Sequence, residues 1–261
     1  MAAERVRLES IGPVAHLVLT GEARGNALDP SMLDELRECV ERLTSALAEP
    51  DAPSVVVLRA EGQHFCVGGE LRAFGGLGDS TTAFVQAGAD TLHASIRGLV
   101  DLPVPMVAAV HGAVAGAGLA LALTGDLLIA ARSARFRVAY TAVGLTPDGG
   151  TSWLLPRAVG VRRALELTLT NRTFDADDAL AWGIASAVVD DSELDAAVDA
   201  VAQSLAGGVG HALRGAKALL RTGSEEPELA AQLQREGRLI AEAAGTPETQ
   251  SAIQAFLKRR S

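Results

Sequence analysis

Aromatic side chains make up only 3% of this 261-residue chain, which contains two cysteines. With so few rings, a core has to be filled by Ala, Val and Leu. Two cysteines cannot build a disulfide framework. Cys39 falls in a helical pattern and Cys66 in a glycine-rich loop, so the expectation is a reduced, cytoplasmic setting. Basic residues are outnumbered, 23 Lys and Arg against 32 Asp and Glu, for a formal charge of −9. That balance argues against a nucleic-acid groove, which needs clustered cations on one face. It leaves room for one anionic ligand gripped by a few arginines. Long apolar runs are missing too. The most membrane-like stretch, AVAGAGLALAL at 113–123, falls far short of the ~20 residues a spanning helix needs. The first seven residues carry charge and no apolar signal region follows. The expectation is a soluble protein with neither a membrane nor a nucleic-acid partner.

What is present is a hydrophobic content of 48% with 27 glycines, enough apolar side chain for a sizeable core. Residues 5–9 and 14–20 alternate as paired, half-buried strands do. Asp29 and Pro30 open a helix as N-cap and first helical residue. Leu33, Leu36, Val40, Leu43 and Leu47 then form its apolar stripe. SVVVLRA (54–60) reads as a buried strand, and a helix is predicted from Thr81 to Val100. The layout repeats with a strand at 104–110, a short helix at 118–125 and short strands at 126–131 and 136–139. Beyond Thr151 helical signals dominate, ending in amphipathic helices and the basic FLKRR. No Pro/Ser-rich linker divides the chain. The predicted organisation is an α/β core over 1–195 and a helical region over 196–261.

Two glycine-rich loops each follow a buried strand: HFCVGGEL (64–71) and HGAVAGAGLAL (111–121). Glycine lets a backbone N–H approach a ligand oxygen with no Cβ in the way. Two such donors aimed at one point would form an oxyanion hole, worth roughly 3–4 kcal/mol per donor in a transition state. The competing explanation is that these glycines only let a helix pack closely on a sheet. A dinucleotide-binding reading is weaker, since GAGLAL lacks the third small residue in register and no acid follows about 20 positions on.

Taken together, RGNALDPSMLDEL (24–36), HFCVGGEL, PMVAAVHGAVAGAGLALALTGDLLIAA (105–131), GLTPDGGTSWLLPRAVG (144–160) and LTNRTFDADDALAWGIASAVV (169–189) resemble the crotonase, or enoyl-CoA hydratase/isomerase, superfamily. The resemblance covers nearly the whole chain. It implies a ββα-spiral core, a C-terminal helical trimerisation region giving a trimer or a dimer of trimers, and an acyl-CoA thioester substrate. No metal or redox cofactor is implied, because two N–H donors replace a Lewis acid and coenzyme A arrives as part of the substrate.

By that resemblance, the oxyanion donors are the amides of Gly69 and Ala117, and Gly68, Gly116, Tyr140 and His93 are candidate substrate contacts. Backbone near Ala27 and Leu28 would meet the adenine, and Arg24 the phosphates. Phe256 and Lys258 would reach the coenzyme A of a neighbouring subunit. Hydratases of the family use two glutamates, which should fall at 120 and 140; this chain has Ala120 and Tyr140. Two-glutamate hydration is therefore disfavoured. Asp148 matches the position where some isomerases carry a single catalytic carboxylate and a dehalogenase its nucleophile. His93 falls where that dehalogenase has a water-activating histidine. Leu145, Trp153 and Val143 give Asp148 an apolar neighbourhood. From composition alone, Pro-Asp-Gly-Gly reads equally as a turn or helix cap.

The expected function is an acyl-CoA isomerase that moves a double bond by proton transfer α to the thioester. The alternatives are an atypical hydratase, a hydrolase or dehalogenase acting through Asp148 and His93, and a non-catalytic acyl-CoA binder.

Overall fold

The structure, a computed structural model, describes residues 4–74, 77–223, 226 and 228–258, so Arg259 and Arg260 of the basic C-terminal run lie outside it. Among the described residues the strands are β1 (Val6–Ile11), β2 (Val14–Leu19), β3 (Val55–Ala60), β4 (Met106–Val110), β5 (Ala113–Ala115), β6 (Leu127–Ala131), β7 (Arg135–Arg137), β8 (Phe174–Asp175) and β9 (Ala187–Val189). The helices are α1 (Pro30–Ala46), α2 (Thr81–Val100), α3 (Ala117–Ala122), α4 (Thr151–Thr170), α5 (Ala176–Ala181), α6 (Leu194–Ala206), α7 (Gly210–Gly223), α8 (Leu229–Ala244) and α9 (Pro247–Lys258).

The strands form a six-stranded sheet in the order β1-β2-β3-β4-β6-β9 and a three-stranded sheet in the order β5-β7-β8. Only the β1–β2 hairpin is antiparallel in the large sheet; the other pairings are parallel. Parallel strands are joined by crossovers that cover both faces, so both faces must be apolar. Val55, Val56, Val57 and Leu58 of β3 are accordingly all fully buried. Val56 and Leu58 join the core cluster that includes Leu36, Leu43 and Met32 of α1. Val55 and Val57 face the other way, with Val198 and Ala202 of α6. At the start of α1, the Asp29 carboxylate accepts the Met32 N–H at 3.0 Å, the predicted N-cap bond.

Each spiral unit sends a strand into the large sheet, touches a second layer, and then turns into a helix. After β2 that second-layer contact is a bridge between Leu28 and Gly69; after β3 it is a bridge between Cys66 and Val114. After β4 and β6 it widens into β5 and β7, paired in parallel. The ββα spiral expected from the resemblance is present, and its second layer carries both glycine loops.

Two features depart from the sequence reading. The stretch after β4, read as a glycine-rich turn, contains β5. Two strands, β8 and β9, lie beyond Thr151, where helical signals dominate. Their residues Phe174 and Ala187–Val189 pair with strands far away in sequence, β7 and β6. The division at 195/196 falls inside α6, whose Leu194, Val198 and Ala202 pack on the large sheet. The helices without buried residues start at α7.

Candidate active site

The segment 24–29 is sewn to the first glycine loop. Asn26, fully buried at φ 57°, donates its side-chain amide to the carbonyls of Glu61 and His64. Val67 N–H donates to the Gly25 carbonyl, Leu28 N–H to Gly68, and Cys66 Sγ to the Asn26 carbonyl. Asn26 was not picked out from the sequence, although a Gly-Asn pair is a known turn signal. Cys66 is fully buried, and desolvation pushes its thiol up to about 12. It is therefore a packed thiol rather than a nucleophile.

The second loop is pressed against the first. Gly68 has φ 99°, and a Cβ built on it would lie 2.9 Å from the Ala115 carbonyl oxygen and 3.6 Å from the Ala117 amide nitrogen. Gly118 packs on the Cys66 backbone so tightly that a Cβ there would strike the Cys66 carbonyl. The amides of Gly69 and Ala117 are thus brought to adjoining loops. Among the described residues neither donates to an acceptor of this chain. Among the described residues, its chain neighbours apart, no atom lies within 4 Å of a Cβ built on Gly69.

The third stretch carries Asp148. Gly149 and Gly150 have φ of 59° and 78°, and Thr151 N–H donates to the Asp148 carbonyl at 3.0 Å. Positive φ at both central residues defines a mirror-image tight turn, which two glycines make at no steric cost. The cap of α4 is Gly150, with no side-chain capping bond. Asp148 therefore sits in a turn, but its carboxylate caps nothing. Instead, the Tyr140 hydroxyl donates to Asp148 Oδ1 at 2.9 Å. Burial, then the Asp148 charge, drives the phenol far above its ordinary range, so it stays protonated. Thr151, which sequence reasoning missed, is buried beside the phenol without completing a well-aligned hydrogen bond of its own.

Gly149 rests on α3: a Cβ built on it would come 3.0 Å from the Ala120 methyl and 3.2 Å from Leu92. Ala120 is three residues after Ala117, about 4.5 Å along a helix axis. The Asp148 turn thus lies roughly one helical turn from the second candidate amide. Ala120 is fully buried beneath it. His93 of α2 accepts the Gly149 N–H at Nε2, 3.2 Å away, which engages that nitrogen's lone pair.

The remaining candidate residues and their neighbours stand as follows. Arg24 is largely exposed and 3.5 Å from Asp29. Asp29 also holds Arg5 at 2.5 Å. Burial opposes ionisation of Asp29, but the Arg5 and Met32 hydrogen bonds outweigh it and hold the carboxyl below its usual range. Ala27 and Leu28 are buried; their carbonyls accept from Arg5 and from Glu70 N–H. Glu70 folds back onto the Arg72 amide. His64 and His111 bond to backbone, at Ala113 N–H and the Gly62 carbonyl. Of the expected apolar neighbours, Val143, Leu145 and Trp153 are all exposed in the single chain. Phe256 and Lys258 lie on α9, which packs on α8 and reaches α7 through His211 and Thr249. Phe256 lines a cavity of about 310 Å³ there, with Ile253 and Val209, away from the Asp148 turn. Among the described residues no cluster of three or more His, Cys, Asp or Glu groups could hold a metal ion, and no helix is long and apolar enough to cross a membrane.

A parallel-stranded ββα spiral with two glycine loops pressed together, and the Asp148 turn packed on the helix after the second loop, is the scaffold of the candidate site. The enoyl-CoA hydratase/isomerase family profile matches residues 12–261, and the chain belongs to that family. It is 36% identical to the 1,2-epoxyphenylacetyl-CoA isomerase of Escherichia coli, over 74% of this chain and 72% of that one. It is 32% identical to 4-chlorobenzoyl coenzyme A dehalogenase-2 of an Arthrobacter species, over 85% and 79%. Among solved structures, an enoyl-CoA hydratase from Polaromonas sp. JS666 superposes with a TM-score of 0.89 at 30% identity, covering 97% of each chain. The chain therefore has the crotonase fold and is an enzyme of this family.

Proposed function

We propose that this enzyme is an acyl-CoA isomerase that shifts a double bond with Asp148 as its single base. The observation that carries the reading is the exchange of carboxylates at the site. Position 120 is an alanine buried under Gly149, position 140 is a tyrosine bonded to Asp148, and Asp148 is the acid left on the turn. One carboxylate suits a 1,3-proton shift better than addition of water, which needs groups both to orient water and to move its proton.

In this reading, Asp148 takes a proton from the carbon α to the thioester of a 3-enoyl-CoA. The C–H electron pair flows into the carbonyl, and the dienolate oxygen is held by the Gly69 and Ala117 N–H groups. The same carboxylic acid then delivers the proton to C4, giving the 2-enoyl-CoA and restoring the carboxylate. No water and no electron acceptor enters. A hydrolytic route through His93 would need an imidazole lone pair for water; the engagement of Nε2 by Gly149 N–H favours the isomerase.

Arg24, exposed on the segment sewn to the first loop, supports phosphate contact at that edge, with Ala27 and Leu28 backbone beside it. Exposed Leu220, Leu229, Leu233 and Ile240 on α7 and α8 support burial of those helices between subunits, as in a trimer or a dimer of trimers. Phe256 and Lys258 would then approach a neighbour's site.

The test is incubation of a 3-enoyl-CoA panel in deuterated buffer, followed by mass analysis. Formation of 2-enoyl-CoA without gain of water is expected, and Asp148→Asn should lower kcat roughly 10²–10⁴-fold with substrate affinity nearly unchanged. Full activity in that variant, or net gain of one water by the product, overturns the reading.

A further inference from the structure

A carboxylate with two equivalent oxygens turns easily about its last torsion, whose profile is broad and two-fold. Asp148 is gripped at one oxygen only. Tyr140 donates to Oδ1 at 2.9 Å, and among the described residues nothing donates to Oδ2. We propose that Tyr140 is a positioning residue: it dedicates Asp148 Oδ1 to a hydrogen bond and leaves Oδ2 as the one oxygen that takes and returns the substrate proton. The proposal rests on the reading of Asp148 as the base.

Three observations besides the bond itself support it. The backbone beside Asp148 is held as well, since His93 accepts the Gly149 amide. The carboxylate is therefore fixed at one end by a turn and at the other by a phenol. Second, the phenol cannot exchange roles with the acid, because burial and the Asp148 charge keep it protonated. It acts as a donor and never as the base. Third, the Thr151 hydroxyl lies beside the phenol oxygen. Among the described residues that hydroxyl has no hydrogen-bond partner, and the phenol's one proton is directed at Asp148. The titratable groups facing the turn are Tyr140, which follows β7, and His93 of α2; His93 reaches a backbone amide rather than the carboxylate.

Two consequences follow from a donor fixed on the ionised form. Such a bond holds the carboxylate in one orientation, so that the same oxygen faces the substrate in every turnover. With a single working oxygen, removal and return of the proton also take place on one face of the acyl chain.

The chain contains one tyrosine, which gives an unusually clean test. Uniform replacement of tyrosine by 3-fluorotyrosine changes one atom at this site alone and makes the phenol a stronger donor. kcat should change by at least about twofold while KM stays within about twofold. Tyr140→Phe removes the donor, and kcat should fall roughly 10- to 100-fold with KM within about twofold. If the fluorinated enzyme keeps the wild-type kcat, the proposal is overturned even where Tyr140→Phe fails to fold. Retained activity in Asp148→Asn would instead defeat the base assignment, which separates the two failures.

Discussion

Gly149 lies directly on Ala120, with room for neither residue to grow: a Cβ on the glycine would come within 3.0 Å of the alanine methyl. The turn that presents Asp148 therefore occupies the volume into which a longer side chain at position 120 would project. The two positions are one steric unit, though 29 residues separate them in sequence.

Ala120→Glu should consequently fail to install hydration. Overpacking costs about 1–3 kcal/mol, and a carboxylate buried beside Asp148 adds like-charge repulsion. We expect a melting temperature lowered by about 5 °C or more, loss of isomerisation, and no hydrated product by mass analysis. Hydration at a rate matching the wild-type isomerisation would show that the turn can move aside.

Gly118→Ala tests the contact between the two glycine loops. Alanine within a helix normally gains up to about 1 kcal/mol over glycine. Here the new Cβ would sit 2.7 Å from Cys66 Cβ and press on the Cys66 backbone, which costs about 1–3 kcal/mol. The clash wins, so the variant should be less stable in urea titration. Because relief separates the loops that carry Gly69 and Ala117, kcat should fall more than stability alone explains.

Cys66 makes stability depend on alkaline pH. Its thiol is raised from 9.0 to about 12 by burial, so the folded chain keeps a proton that the unfolded chain releases across that window. Stability should be whole below about pH 9 and decline as pH rises towards 12. Cys66→Ala should flatten that decline in chemical denaturation from pH 8 to 11, whatever its effect at neutral pH. Thiol reagents should label neither buried cysteine until the protein unfolds.

Asp126 anchors α7 to the core. Its oxygens meet Lys217 at 2.7 Å and Arg221 at 2.6 Å, and one also accepts the Met106 N–H at 2.8 Å. Burial lowers the Lys217 pKa, and Asp126 opposes that shift. Asp126→Asn leaves a buried ammonium beside a guanidinium, a loss of about 3 kcal/mol. Urea unfolding should report it, and limited proteolysis should cut α7 sooner than in the parent protein.

Much of this protein was fixed locally and could be read along the chain. The Asp29–Pro30 helix start, the β-branched strands and both glycine loops depend on neighbours within a turn or a strand. Their physical signals lie within a few residues: a capping oxygen, an apolar period, a missing Cβ. The departures at 120 and 140 were equally visible, and they singled out Asp148. Folding in three dimensions decided the rest. β9 is three residues of ordinary composition that become a strand because β6 offers them a ladder. The partners of Asp148 come from the end of β7 and, through Gly149, from α2, 56 residues before the turn. A hydrogen bond is directional and a buried contact is exclusive. Whether Tyr140 met substrate or carboxylate, and whether Asp148 capped a helix or faced a phenol, therefore awaited the packing that set those angles and distances.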